Sequence, residues 1–161
     1  MKFNTGMVFG AFDGIHRGHL HYLRQSKNRC NNLIVAIARD KSKWKFVPHY
    51  NFDEQERVSL IEDLKIANKV VLGGYDNAFE SIEKYKPDVI FITPLHFIPI
   101  EVLKNDLENR NLKTQVIVIE PLDPLKYTQY YNHNKDKHKK LGIGKWILRN
   151  LRFFLLLFWQ N

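Results

Sequence analysis

The chain holds one cysteine, Cys30, among its 161 residues. A single thiol cannot close an intramolecular disulfide, so the fold must rest on its core, and a reducing compartment suits it. Cys30 precedes an apolar run and reads as a small buried thiol rather than a nucleophile. No stretch approaches the ~20 consecutive apolar residues of a membrane-spanning helix. The chain carries no internal repeat, and Met1-Lys2-Phe3-Asn4-Thr5 leads straight into an apolar strand pattern, so no secretory leader is expected. Acidic residues are nearly missing from one end. From His133 onward the one acid is Asp136, set against seven Lys or Arg. That segment holds +6 of the formal net charge of +8, leaving the body close to neutral. Basic character is therefore a property of the C-terminus, and no nucleic-acid partner is expected for the body.

What is present suits one full-sized domain: 44% hydrophobic and 26% charged residues are ordinary for a globular protein. Short apolar runs alternate with helical spacing. Strands are expected at about 3–9, 33–38, 68–72, 89–92 and 115–119, with helices at about 18–28, 53–64, 77–85 and 100–110. Leu33–Ala38 is apolar throughout, as in a strand covered on both faces. Asp53 with Glu56 reads as a capping box opening the second helix, whose apolar side is Val58, Leu60, Ile61 and Leu64. Strands alternating with helices imply α/β architecture, a Rossmann-like doubly wound sheet of five parallel strands. The domain is expected over residues 1–132, a basic linker over 133–145, and a hydrophobic, basic helical tail over 146–161.

The most informative stretch is Val8-Phe9-Gly10-Ala11-Phe12-Asp13-Gly14-Ile15-His16-Arg17-Gly18-His19. An apolar run stops at a small-residue loop that opens a helix, the arrangement in which free N–H groups face an anion. His16 and His19 are three apart and share a helix face. Taken alone, such a pair is also compatible with surface residues or half of a metal site.

The run Gly10-Ala11-Phe12-Asp13-Gly14-Ile15-His16-Arg17-Gly18-His19 resembles the G-x-F-D-x-x-H-x-G-H signature of the nucleotidyltransferase superfamily. Ala38-Arg39-Asp40-Lys41-Ser42, Glu54-x-x-Arg57, Lys69–Gly73 and Lys86–Ile90 extend the likeness to the cytidylyltransferase-like group that includes archaeal-type FAD synthetase. The resemblance implies transfer of a nucleotidyl group, CMP or AMP, from CTP or ATP to a small phosphorylated acceptor, with release of pyrophosphate and with Mg²⁺ held mostly by phosphates and water. It implies His16 and His19 as catalytic donors. Gly10, Ala11, Phe12, Arg17 and Gly18 would bind nucleotide, and no residue is assigned as a metal ligand. Lys41, Lys43 and Arg57 are candidate phosphate contacts. For Arg57 an ion pair with a neighbouring glutamate is the equal alternative, and for the loop of residues 41–52 a merely solvated surface is. Asp13 is placed with the phosphate and acceptor candidates, with shaping of the loop as its role.

Two positions depart from the family pattern. Leu95 stands where members carry the acid of a Gly-x-Asp element, and Tyr127-Thr128-Gln129-Tyr130-Tyr131 replaces a Ser/Thr-rich motif. These departures keep a second reading open: a catalytically impaired nucleotide-binding or membrane-associated scaffold on the same fold. In the tail, Trp146–Trp159 would span only ~21 Å as a helix, short of the ~30 Å hydrocarbon core, and Arg149 and Arg152 oppose spanning. Its tryptophans and basic lead-in suit a membrane surface; docking on the domain or in a homodimer is the alternative. The expected location is cytoplasmic, peripheral at the membrane if the tail binds lipid.

Overall fold

The structure, a computed structural model, describes residues 1–42, 50–94 and 100–123. Met1–Leu122 form one compact unit. The expected boundary at 132, the linker, the tail, Lys43, Leu95 and Tyr127–Tyr131 all lie outside the described residues.

The first unit runs β1 (Phe3–Gly10), α1 (Arg17–Arg29), β2 (Cys30–Ile37), α2 (Glu54–Asp63), β3 (Lys69–Leu72), α3 (Glu80–Tyr85), β4 (Val89–Ile92), α4 (Ile100–Asn109) and β5 (Gln115–Val118). The five strands form one sheet in the order β3-β2-β1-β4-β5. Every neighbouring pair is parallel. Strands of such a sheet must be apolar on both sides, and adjacent residues here divide between two cores. Val8, Val35 and Phe91 pack with Tyr22 and Leu23 of α1 and Ile61 of α2. Met7, Ile34 and Ile90 pack with Ile82 of α3 and with Leu103 and Leu107 of α4. Helices thus cover both faces, α1 and α2 on one and α3 and α4 on the other. The direction of winding reverses between β1 and β4, the point where open α/β sheets leave a crevice beyond their carboxyl ends.

Element limits shift for local reasons. β2 starts at Cys30 rather than near residue 33, because Cys30 pairs with Phe3 and Asn32 with Thr5 of β1. α3 starts at Glu80 rather than Asn77: the Glu80 carboxylate accepts from the N–H groups of Tyr75, Asp76 and Asn77, which holds those residues in a turn. The capping box of α2 is present in full, with Asp53 accepting from Gln55 and Glu56 and the Glu56 carboxylate accepting from the Asp53 N–H. Among the described residues no helix is long and apolar enough to cross a membrane.

Candidate active site

β1 delivers the chain to the crevice, and residues 11–16 form the loop before α1. Two glycines are fixed by close approach. A Cβ at Gly10 would lie 2.6 Å from the Phe12 ring, and one at Gly18 would lie 3.0 Å from the His16 ring. Phe12 itself is buried with φ 54°, a left-handed backbone that a bulky residue adopts only when its surroundings over-determine it. Its ring packs beneath His19 at 5.2 Å between centroids.

His16 caps α1: its Nδ1 accepts from the Gly18 N–H at 3.1 Å. That bond commits the Nδ1 lone pair and leaves Nε2 as the donor of the neutral ring. His19 stacks on His16, with ring centroids 3.8 Å apart and planes 25° from parallel. Burial and the adjacent His16 ring lower the His19 pKa to about 4, against a partial opposing pull from the Gly14 backbone. Its buried Nδ1 makes no hydrogen bond. The pair presents two closely stacked imidazoles at a helix N-terminus, where the backbone field favours an anion.

Asp13 is tied to the chain just before α2. Its carboxylate accepts from the Asn51 N–H at 3.0 Å, the Asn51 amide at 2.8 Å and the Phe52 N–H at 3.1 Å. Burial pushes its pKa up, but these hydrogen bonds and the Arg57 charge outweigh it and hold the group below the ordinary range. Arg57 lies beneath the loop, fully buried. Its Nη1 donates to the Ala11 carbonyl at 2.7 Å, Nε to the Phe52 carbonyl at 3.0 Å, and Nη2 to Asp40 at 2.6 Å. The Tyr50 ring lies 4.2 Å from its Cζ. The ion partner is Asp40, 17 residues away, and not a neighbouring glutamate. The Glu54 carboxylate instead accepts from the Asp40 N–H, the Glu54 N–H donates to the Asp40 carboxylate, and Glu54 pairs with Arg39 at 3.5 Å.

A cavity of about 260 Å³ opens beside the loop at the carboxyl ends of β1 to β4. Gly10, Ala11, Ala38, Gly73, Ile92 and Leu103 give it small and apolar walls. Ser42 also lines it, with an Oγ that is buried and unpaired. The structure thus gathers Gly10, Ala11, Phe12, His16, Gly18 and His19 at one place. Arg17 is exposed and lines a separate groove on α1 with Leu20, His21 and Arg24, and Lys41 is exposed just past β2. Sequence reading gave no individual role to Tyr50, Asn51 or Ser42. The Asn-Phe-Asp order before α2 carried no sign that its backbone would close on Asp13.

Comparison with known proteins adds the following. Residues 7–141 match the cytidylyltransferase-like family. An FAD synthase of Archaeoglobus fulgidus is 36% identical over 113 residues, spanning 70% of this chain and 82% of that protein. One from Thermoplasma acidophilum is 32% identical over 117 residues, spanning 73% and 82%. Among solved structures, a lipopolysaccharide core biosynthesis protein from Thermoplasma volcanium superposes with a TM-score of 0.70 at 28% identity, over 75% of this chain and 99% of that one. A pantothenate synthetase from Thermus thermophilus, at 10% identity and a TM-score of 0.56 over 75% of this chain and 60% of that one, shares the fold.

Proposed function

Because the chain belongs to the cytidylyltransferase-like family, we propose that it is a nucleotidyltransferase acting on ATP and flavin mononucleotide, yielding FAD and pyrophosphate. The family membership and the FAD synthases among the relatives support the reaction class. The observation that carries the reading on this chain is the stacked His16–His19 pair on the loop leaving β1 at the sheet's switch point.

In the reaction, an oxygen of the acceptor phosphate attacks the α-phosphorus. The bond from that phosphorus to the bridging oxygen breaks, and pyrophosphate leaves with the electron pair. Catalysis of such a displacement is positioning together with neutralisation of spreading charge. His16 Nε2–H donates to the phosphate oxygens, and the loop N–H groups and the field at the start of α1 add to it. Triphosphate charge acts on the His19 ring against the lowering by burial, favouring its protonated, donating form. The apolar cavity beside the loop offers walls for a flat ring. Among the described residues no cluster of His, Cys, Asp or Glu forms a metal cage. Mg²⁺ would enter with the nucleotide as Mg–ATP and help to neutralise phosphate charge.

The test is a pyrophosphate-release assay of ATP and CTP, each against flavin mononucleotide and simple alcohol and sugar phosphates, with Mg²⁺. ATP with flavin mononucleotide is the expected pair. Release with CTP and an alcohol phosphate alone would overturn the adenylyl assignment. With the productive pair, His16→Ala and His19→Ala should each lower kcat by about 10²-fold or more, the usual worth of one donor to developing charge, while nucleotide affinity falls far less. A second reading, a nucleotide-binding scaffold without turnover, is favoured by Leu95 standing where family members carry an acid. Nucleotide binding without pyrophosphate release from any pair would establish it.

A further inference from the structure

Arg57 is charged, yet none of its side chain reaches solvent. Taking a guanidinium wholly out of water costs more than one ion pair returns, so the remaining donors must be well used. They reach three separate pieces of chain: the loop after β1 through the Ala11 carbonyl, the start of α2 through the Phe52 carbonyl, and the end of β2 through Asp40. The contact with Ala11 has a directional consequence. The peptide joining Ala11 to Phe12 is trans, so its C=O and N–H point opposite ways. With the carbonyl drawn to the buried guanidinium, the Phe12 N–H points away from Arg57. That N–H donates to no group among the described residues. The preceding carbonyl, of Gly10, is likewise held from behind, by the Ala38 N–H at 2.9 Å.

We propose that Arg57 is a positioning residue for nucleotidyl transfer: through the Ala11 carbonyl it aims the Phe12 N–H at the phosphate chain of the nucleotide. The proposal rests on the nucleotidyltransferase reading for its ligand. It also accounts for the left-handed Phe12, because the same grip holds the backbone that Gly10 and the Phe12 ring shape from above. Lysine at position 57 keeps the charge but cannot span three acceptors with one planar fork. The loop would then drift, and a displacement of about 1 Å at a reacting centre can cost about 10²-fold in rate.

Two measurements on the full chain test this. The first is steady-state kinetics of Arg57→Lys with the productive substrate pair. The second is the ¹⁵N–¹H resonance of Phe12 during titration with Mg²⁺ and α,β-methylene-ATP, an analogue that cannot be cleaved between the α- and β-phosphates. In the wild type the Phe12 amide should move strongly on binding. In Arg57→Lys, checked to be folded by thermal melting, kcat should fall about 10²-fold with nucleotide KM nearly unchanged, and the Phe12 response should vanish. A folded variant that keeps wild-type kcat overturns the proposal and leaves the transfer reading standing. A lowered kcat with the Phe12 response intact also overturns it, since Arg57 would then serve stability alone. A wild-type Phe12 amide indifferent to the analogue overturns it outright. Failure of the wild type to release pyrophosphate from any pair refutes the transfer reading, and the amide titration still decides the role of Arg57. Should Arg57→Lys not fold, Asp40→Asn removes the guanidinium's counter-ion at a partly exposed position and is judged by the same two criteria.

Discussion

At the scale of single residues, His19 makes a prediction with a definite sign. Its pKa in the folded protein is about 4, below the 6.5 of a free imidazole, through burial first and the neighbouring His16 second. The unfolded chain therefore takes up the proton first as pH falls. The contribution of neutral His19 to stability is complete above pH 6.5 and is lost as pH drops from 6.5 towards 4. Urea unfolding across that window should show wild-type stability declining more steeply than that of His19→Gln. Equal slopes would mean that the ring is not held neutral. Nucleotide binding acts in the opposite sense, because phosphate charge favours the imidazolium. Calorimetry in two buffers of different ionisation enthalpy should register proton uptake near pH 6. Burial and a bound phosphate thus pull on the His19 ring in opposite directions, the first favouring its neutral form and the second its charged one.

Elements set where those residues stand. α2 is held at its start by the capping box of Asp53 and Glu56, and it carries Arg57 one turn in. Asp53→Ala should cost about 1 kcal/mol of stability, as loss of an N-cap does, read from the urea midpoint at constant slope. The cap itself was legible in the sequence, since both partners lie within four residues. So were the five strands, because Leu33–Ala38 and Val89–Ile92 are apolar on both faces, and so was the strand–loop–helix carrying His16 and His19. What could not be read is whatever depends on distant partners. Arg57 meets Asp40 across 17 residues and Ala11 across 46, and the sequence alone left it between a phosphate and a nearby glutamate. A loop-shaping role for Asp13 was legible, but its partner Asn51, 38 residues away, is visible only in the folded chain. The left-handed Phe12 is likewise a product of tertiary packing, with Gly10 as its one sequence trace. Periodicity reports which face is buried; it does not report which loop closes on which.

For the whole molecule, charge is unevenly placed, with +6 of the net +8 following residue 132. Residues 146–161 combine Arg149 and Arg152 with Phe153–Trp159, two signals that act together at an anionic lipid surface. We expect the full chain to sediment with phosphatidylserine-containing vesicles and less with neutral ones. Each near-surface Lys or Arg contributes about 1 kcal/mol, so high salt should weaken binding without abolishing it. A chain that stays in the supernatant as a defined dimer would assign the tail to self-association instead. The sheet order has a further consequence, which concerns time. β1 is the middle strand, and its two neighbours arrive at different moments of synthesis. β2 follows directly after α1, whereas the other side waits for β4, and Asp88 just before that strand is tied to Thr5 across 83 residues. On the ribosome, the first 72 residues can assemble β1, β2 and β3 with one row of β1 backbone groups left open. Pairing at such long separation is slow, because chain closure must precede its reward. His16 and His19 are thus among the earliest residues made, and the crevice at the switch point beside them is among the last parts of the domain to close.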